Sequence, residues 1–231
     1  MDKILPHLFR IELSGVNVFL WTGQGGPTLI DTGYPWTYNK LLKALSNVDV
    51  QPADLQRIII THAHLDHVGG LKRLVQKSNA VVACHTAETA FVTGKRHMPA
   101  PPSLTGRLLA GVGSRILTSI YKPYVQDVQE LLLEKEETPE GFRVVYLPGH
   151  SPGHIGLYHK AEKVLIVGDA IDNRHHLALP PKPFTLDSRQ AQESLLKLKK
   201  LRYDIACFGH GPCITTDAAA KIADFVDSLA G

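Results

Sequence analysis

The sequence predicts an α/β fold, a four-layer α/β/β/α sandwich of two mixed sheets with helices on the outside. Two observations lead there. Short apolar runs of strand character alternate with helical segments in two halves that approximately echo one another. Seven histidine and aspartate side chains able to hold metal fall where such runs give way to loops, so they can converge along one edge of a sheet core.

Along the chain, residues 4–13, 16–21 and 28–30 read as strands separated by glycine turns, which makes the opening sheet antiparallel. A helix follows over 36–46. The run Arg57-Ile58-Ile59-Ile60 reads as a buried strand entering the loop Thr61-His62-Ala63-His64-Leu65-Asp66-His67. Next come a helix over 68–77, a strand over 80–84 and a short helix over 86–93. The second half begins with a strand at 142–147, which leads into Pro148-Gly149-His150-Ser151-Pro152-Gly153-His154. Two more strands follow, the second ending at Asp169, then a helix over 188–201, a strand at 205–209 that delivers His210, and a closing helix over 217–229. Donors from both halves must meet, so one integrated domain over residues 1–231 is expected.

The donor chemistry explains the choice of residues. Neutral imidazole and carboxylate suit zinc, iron and manganese, whereas an all-thiolate set would indicate a closed structural zinc. Four donors within six residues, His62, His64, Asp66 and His67, crowd a single ion, so two neighbouring ions are the easier arrangement. Side chains at alternate positions of an extended loop face the same way. His62 and His64 can therefore share one ion while Asp66 and His67 turn to a second, and His150, Asp169 and His210 complete both.

With its His-x-His-x-Asp-His loop and the later His, Asp and His in order, the chain resembles the metallo-β-lactamase superfamily. Asp31-Thr32-Gly33 resembles that family's early Asp-Thr-Gly turn, and Gly209-His210-Gly211-Pro212 its last ligand turn. The resemblance implies the family's sandwich fold. It places His62, His64 and His150 on one metal and Asp66, His67 and His210 on the other, with Asp169 bridging and Asp31 supporting the ligand loop. It also implies hydrolysis of an ester, lactone or thioester by a metal-activated hydroxide, with Asp66 and Asp169 handling protons and two divalent ions as cofactors, zinc first, iron or manganese possible.

Departures narrow the branch. Only 21 residues follow His210, where hydroxyacylglutathione hydrolases carry a helical domain. Acyl-homoserine lactonases place a tyrosine where Asp172 stands, and the commonest zinc β-lactamases use a cysteine as a second-metal ligand, which this chain does not offer. Three alternatives stay open: a mononuclear iron persulfide dioxygenase on His62, His150 and Asp169, a small phosphodiesterase, and a noncatalytic metal-binding module.

Composition adds bounds. With 44% hydrophobic and 20% charged residues the chain is ordinary globular material, and a net charge of +3 without an aromatic-interleaved basic run argues against a nucleic-acid partner. Cys84, Cys207 and Cys213 form no Cys-x-x-Cys pair, which suits a reducing cytoplasm. The N-terminus lacks a basic start followed by an apolar core, and no apolar stretch reaches spanning length, so no membrane partner is expected.

Residues 97–128 break the rhythm. A proline-rich opening, then Leu104, Leu108, Leu109, Val112, Ile116, Leu117 and Ile120 at roughly helical spacing, predict an inserted apolar cap. It forms a pocket wall, with Tyr121 facing the substrate, or else the face of a homodimer or a helix simply packed on the sandwich. Further candidates for contact with a small-molecule substrate are His154, which alternatively hydrogen-bonds a ligand or structures its loop, and Asp172, Arg174 and His175, which follow Asp169 closely and equally fit a solvated loop.

Overall fold

The computed structural model describes residues 1–229; the last two residues of the expected domain lie outside the described residues. Strands β1 (Asp2–Leu5), β2 (Leu8–Leu13), β3 (Val16–Trp21) and β4 (Thr28–Ile30) pair antiparallel in chain order. The β2–β3 hairpin turns through Ser14 and Gly15, with φ of 58° and 90°, the left-handed pair that a two-residue hairpin requires to match strand twist.

Helix α1 (Tyr38–Ser46) leads to β5 (Arg57–Ile60), and α2 (Leu65–Val68) and α3 (Leu71–Val75) lead to β6 (Val81–His85). After α4 (Thr89–Val92) the chain leaves the sheet for α5 (Leu104–Gly106), a π-helical stretch Arg107–Gly113 and α6 (Ser114–Tyr121), then returns as β7 (Glu130–Leu132). Helical crossovers impose parallel pairing, and β5, β6 and β7 accordingly add parallel to β4, giving a seven-stranded mixed sheet in sequence order.

The second sheet contains β8 (Phe142–Tyr146), β9 (Ile155–His159) and β10 (Val164–Gly168). Beyond α7 (Ser188–Leu195) comes β11 (Ile205–Phe208), and α8 (Ala218–Ser228) follows. The order is β11-β10-β9-β8, with β10 and β11 parallel and the other pairs antiparallel.

Strand periodicity of two sorts the apolar residues into layers. In β5, Ile58 and Ile60 pack outward with Leu41, Leu45, Leu71 and Leu74 of the helices, while Ile59 faces the opposite sheet. In β10, Leu165 and Val167 pack with Leu195 and Ile222, while Val164 and Ile166 meet Phe142, Leu157 and the first sheet's Trp21 and Phe19. Three apolar clusters thus separate four layers, helix, sheet, sheet and helix, as the sequence predicts.

Local differences have local causes. The strand expected at 4–13 is two strands, broken at Pro6 and His7 where the chain reverses. The helix expected at 68–77 begins earlier, at Leu65, and is interrupted at Gly69-Gly70, where the Pro35 ring and the Thr32 carbonyl approach too closely for side chains. Asp66 and His67 therefore sit on a helical turn rather than at the end of an extended loop. The helix expected at 188–201 stops at Leu195 and resumes as a 3-10 turn, Leu198–Lys200. The edge strand β7 has no counterpart in the sequence reading.

Ile166 is fully buried between the sheets, so Ile166→Ala is expected to cost about 2–5 kcal/mol. In urea titration the midpoint should fall with the slope unchanged; an unmoved midpoint would place the inter-sheet contact elsewhere.

Candidate metal centre

The predicted donors arrive from the C-terminal ends of their strands. His62 and His64 follow β5, and the carbonyl of His64 accepts from the amides of His67 and Val68, starting the turn that swings Asp66 and His67 around. His150 follows β8, Asp169 follows β10 and His210 follows β11. Their donor atoms form overlapping triads: His62, His64 and His150; Asp66, His67 and His210; and His62, His67 and Asp169, in which all ligand atoms lie within 4.8 Å of one another.

Asp169 stands between the first two triads. Its Oδ2 lies 4.0 Å from His62 Nε2, 3.7 Å from His150 Nε2 and 3.1 Å from His210 Nε2, and its Oδ1 lies 3.4 Å from His67 Nε2. Asp66 Oδ2 lies 3.7 Å from His67 Nε2 and 3.4 Å from His210 Nε2. Two ligands about 2.1 Å from a tetrahedral ion are about 3.4 Å apart, so these separations are those of atoms that share a cation. Gly209 permits the approach: any Cβ there would collide with Asp169 Oδ1.

Hydrogen bonds set the tautomers. Thr61 Oγ1 donates to Asp31 Oδ2 at 2.7 Å and so accepts from His62 Nδ1 at 3.0 Å. Asp31 Oδ2 accepts from His67 Nδ1 at 2.8 Å. Thr185 Oγ1 donates to the Pro181 carbonyl and accepts from His150 Nδ1, while the Gly15 carbonyl accepts from His210 Nδ1 at 2.7 Å. Each of these rings therefore turns Nε2 inward as a lone pair, the orientation that outer partners impose on metal-binding histidines. Nε2 of His62, His67 and His150 and Oδ1 of Asp169 are buried without a hydrogen-bond partner. Buried polar atoms are rarely left so, and a divalent cation would satisfy all four.

The titration of the cluster points the same way. Burial and neighbouring imidazoles push His62 and His150 well below the usual histidine range, and burial lowers His64. Burial works against charging His67 and His210, yet the carboxylates around them, Asp169 foremost, raise both, His210 to about 10. Asp66 is drawn down to about 2 against its burial, chiefly by His67, and His67 and His210 likewise hold Asp169 well below the usual carboxylate range against its burial. The Asp66 and Asp169 carboxylates thus favour positive charge beside them, which a divalent cation held by the same donors would supply.

The remaining candidates separate. Asp31, left-handed at φ 62°, accepts from Thr61 N at 2.8 Å, from Thr61 Oγ1 and from His67, so it braces the ligand loop. Of the readings open for His154, the structure takes the loop-structuring one and corrects the pocket one. His154 is fully buried behind His62 and His150, its Nε2 accepts from the Asp169 amide at 2.9 Å, and burial holds it down to about 3. Arg174 lines the cleft, but its guanidinium is held by Asp172, which pairs with Nε at 2.8 Å, and Asp172 itself does not line it. His175 is exposed and Tyr121 packs on Trp36, neither of them lining the cleft.

The cleft above the donors holds about 440 Å³ and is walled by Met98, Leu108, Leu109 and Leu117 of the cap together with Phe184 and Tyr34. The cap therefore contributes one wall of this cleft. Tyr34 carried no sequence signal, being one tyrosine beside a common turn. Its hydroxyl is pushed up to about 12 by burial and by Asp66 and Asp169, so it remains a donor at neutral pH. Glu88 was equally silent. Fully buried, it accepts from Ala63 N at 2.9 Å and from Ser151 Oγ and Gly153 N at 2.6 Å, clasping the His62 loop to the His150 loop.

With fold and site in view, comparison with known proteins gives the family. The model of the metallo-beta-lactamase superfamily matches residues 11–210, and the chain belongs to that superfamily. It is 30% identical over 204 residues to a probable metallo-hydrolase, YflN, of Bacillus subtilis, covering 79% of this chain and 74% of that one. It is 26% identical over 222 residues to an N-acyl homoserine lactonase of Bacillus cereus, covering 83% and 79%. Among solved structures, TTHA1623 in a di-iron-bound form superposes with a TM-score of 0.69 at 27% identity, covering 93% of this chain and 97% of that one. The chain is thus a metallo-hydrolase homologue whose clustered histidines and aspartates suit divalent metal.

Removing the Glu88 carboxylate strands three donors at once. With about 1–3 kcal/mol for each buried group left unpaired, Glu88→Ala is expected to cost about 3 kcal/mol or more. For a chain of this size that lowers Tm by about 6–12 °C, which calorimetry reads directly. An unchanged Tm would show that the two loops hold without this clasp.

Proposed function

We propose that the protein is a dinuclear metal-dependent hydrolase of an ester, lactone or thioester. The observation that carries this reading is the pair of donor triads, His62, His64, His150 and Asp66, His67, His210, on either side of the Asp169 carboxylate at the floor of an apolar-walled cleft. Two ions bound there would supply a water acidified to near-neutral pKa and Lewis-acid polarisation of a carbonyl. Zinc fits the imidazole and carboxylate set, and iron and manganese accept the same donors.

The chain's own residues do the rest. Met98, Leu108, Leu109, Leu117 and Phe184 exclude water and receive an acyl chain, which orients the scissile carbonyl toward the donors. The Tyr34 hydroxyl is placed to donate to an oxygen that gains charge in the reaction. Asp66, half-buried at the cleft floor, is the carboxylate able to move a proton between water and leaving group, with Asp169 holding the triads together. Arg174, with its fork turned to Asp172, contributes positive potential at the mouth rather than a free clamp for an anion. The Bacillus cereus relative's name, a lactonase, supports a carbonyl substrate.

The test is initial rates on a matched panel of lactone, aryl ester, glutathione thioester and phosphodiester, with zinc-, manganese- and iron-loaded protein. Metal-dependent turnover of a carbonyl substrate is expected. His64→Ala and Asp169→Asn should each lower it by more than the about 10- to 100-fold typical of outer supporting residues. Turnover of the phosphodiester alone, or full activity without metal, would sink the reading.

A further inference from the structure

The cap is built inside out. Its small residues turn inward, with Gly106 and Gly111 buried and Ala110, Gly113, Ser114 and Thr118 half-buried. The aliphatic residues at every fourth position point outward instead: Leu104 is 75% exposed, Leu108 58%, Val112 53%, Ile116 55% and Ile120 66%. A helical row of this kind normally faces a core. From residue 104 to 121 it presents an apolar ridge several helical turns long to solvent, and large exposed apolar patches mark interaction surfaces.

Charge identifies the partner. From Thr89 to Gln126 the chain has no acidic residue, while Lys95, Arg96, Arg107, Arg115 and Lys122 all lie there and are all exposed. The whole chain carries +3, so removing these five cations leaves the remainder at −2; the protein's positive charge is concentrated on and around the apolar ridge. A second copy packed ridge to ridge would bring like charges together with no acid in the segment to meet them. An anionic lipid surface answers both features, since it accepts aliphatic side chains at the acyl boundary and pairs cations with its headgroups.

We infer that the cap helix seats this protein on an anionic lipid surface, ridge down, with its flanking cations on the headgroups. The helix lies in the plane of the interface; no described helix is long and apolar enough to cross a bilayer. The sequence expectation of no membrane partner rested on the lack of a spanning segment, and interfacial docking needs none. Leu108 and Leu109 belong both to the exposed face and to the cleft wall, so the cleft opens beside the docked surface and takes amphiphilic molecules from it.

Vesicle flotation of the full chain tests this without reference to turnover. Phosphatidylcholine vesicles are compared with vesicles that also contain phosphatidylglycerol, at low and high salt. Binding to the anionic vesicles, weakened by salt, is expected. The double variant Ile116→Asp/Ile120→Asp, whose sites lie outside the cleft wall, and the triple variant Arg107→Gln/Arg115→Gln/Lys122→Gln should each reduce the bound fraction about tenfold or more at an unchanged Tm. No binding, equal binding to neutral vesicles, or binding that survives both variants overturns the inference. So does a dimer in sedimentation that Ile116→Asp/Ile120→Asp dissolves while vesicle binding is absent.

Discussion

Carboxylates and bare imidazole nitrogens buried side by side are costly unless positive charge joins them, and that constraint governs the edge of both sheets. Asp169 lies within 4.0 Å of Nε2 of His62, His67, His150 and His210, while four donor atoms of the cluster have no hydrogen-bond partner. Nearly every unusual contact nearby serves this arrangement. Asp31 takes a left-handed backbone to reach Thr61 and His67, Gly209 gives up its side chain to admit a carboxylate oxygen, and His154 spends an imidazole on one backbone amide.

The sandwich provides the stiffness that the cluster needs. Donors on loops would wander if the loops were free, but each here lies within one to seven residues of the end of a strand, and Glu88 then ties two of the loops together. The wall of the cleft is different in kind. Its cap side comes from an excursion between β6 and β7, outside both sheets, and can vary without disturbing the donors.

Much of this was legible in the residues. The echo of strand-like and helical runs between the two halves gave the layers, and the order of the seven donors, each following an apolar run, put them along one sheet edge. The cap announced itself through prolines and the four-residue recurrence of Leu104, Leu108, Val112, Ile116 and Ile120. What stayed hidden follows from what periodicity measures. It tells which residues share a helix face but not which way that face turns, so an outward ridge and an inward one read alike. It also says nothing of contacts far apart in sequence, which is why Glu88 passed as an ordinary helical residue and why His154 stayed divided between pocket and loop. The one-turn helix at Leu65–Val68 was missed because three of its four residues are also donors or neighbours of a motif that reads as loop.

The brace around His210 sets an order of events. Its Nδ1 donates to the Gly15 carbonyl at the β2–β3 turn, and Asn17 reaches the carbonyls of Phe208 and Gly211 through its side chain and of Gly209 through its amide. These contacts join the two ends of a chain more than 190 residues apart, the kind of closure that costs most entropy and comes late. A growing chain emerging from the ribosome therefore contains His62, His64, Asp66 and His67 well before the last donor, His210, exists. Metal capture belongs to the finished molecule, and a half-made one has only an incomplete claim on the cell's metal supply.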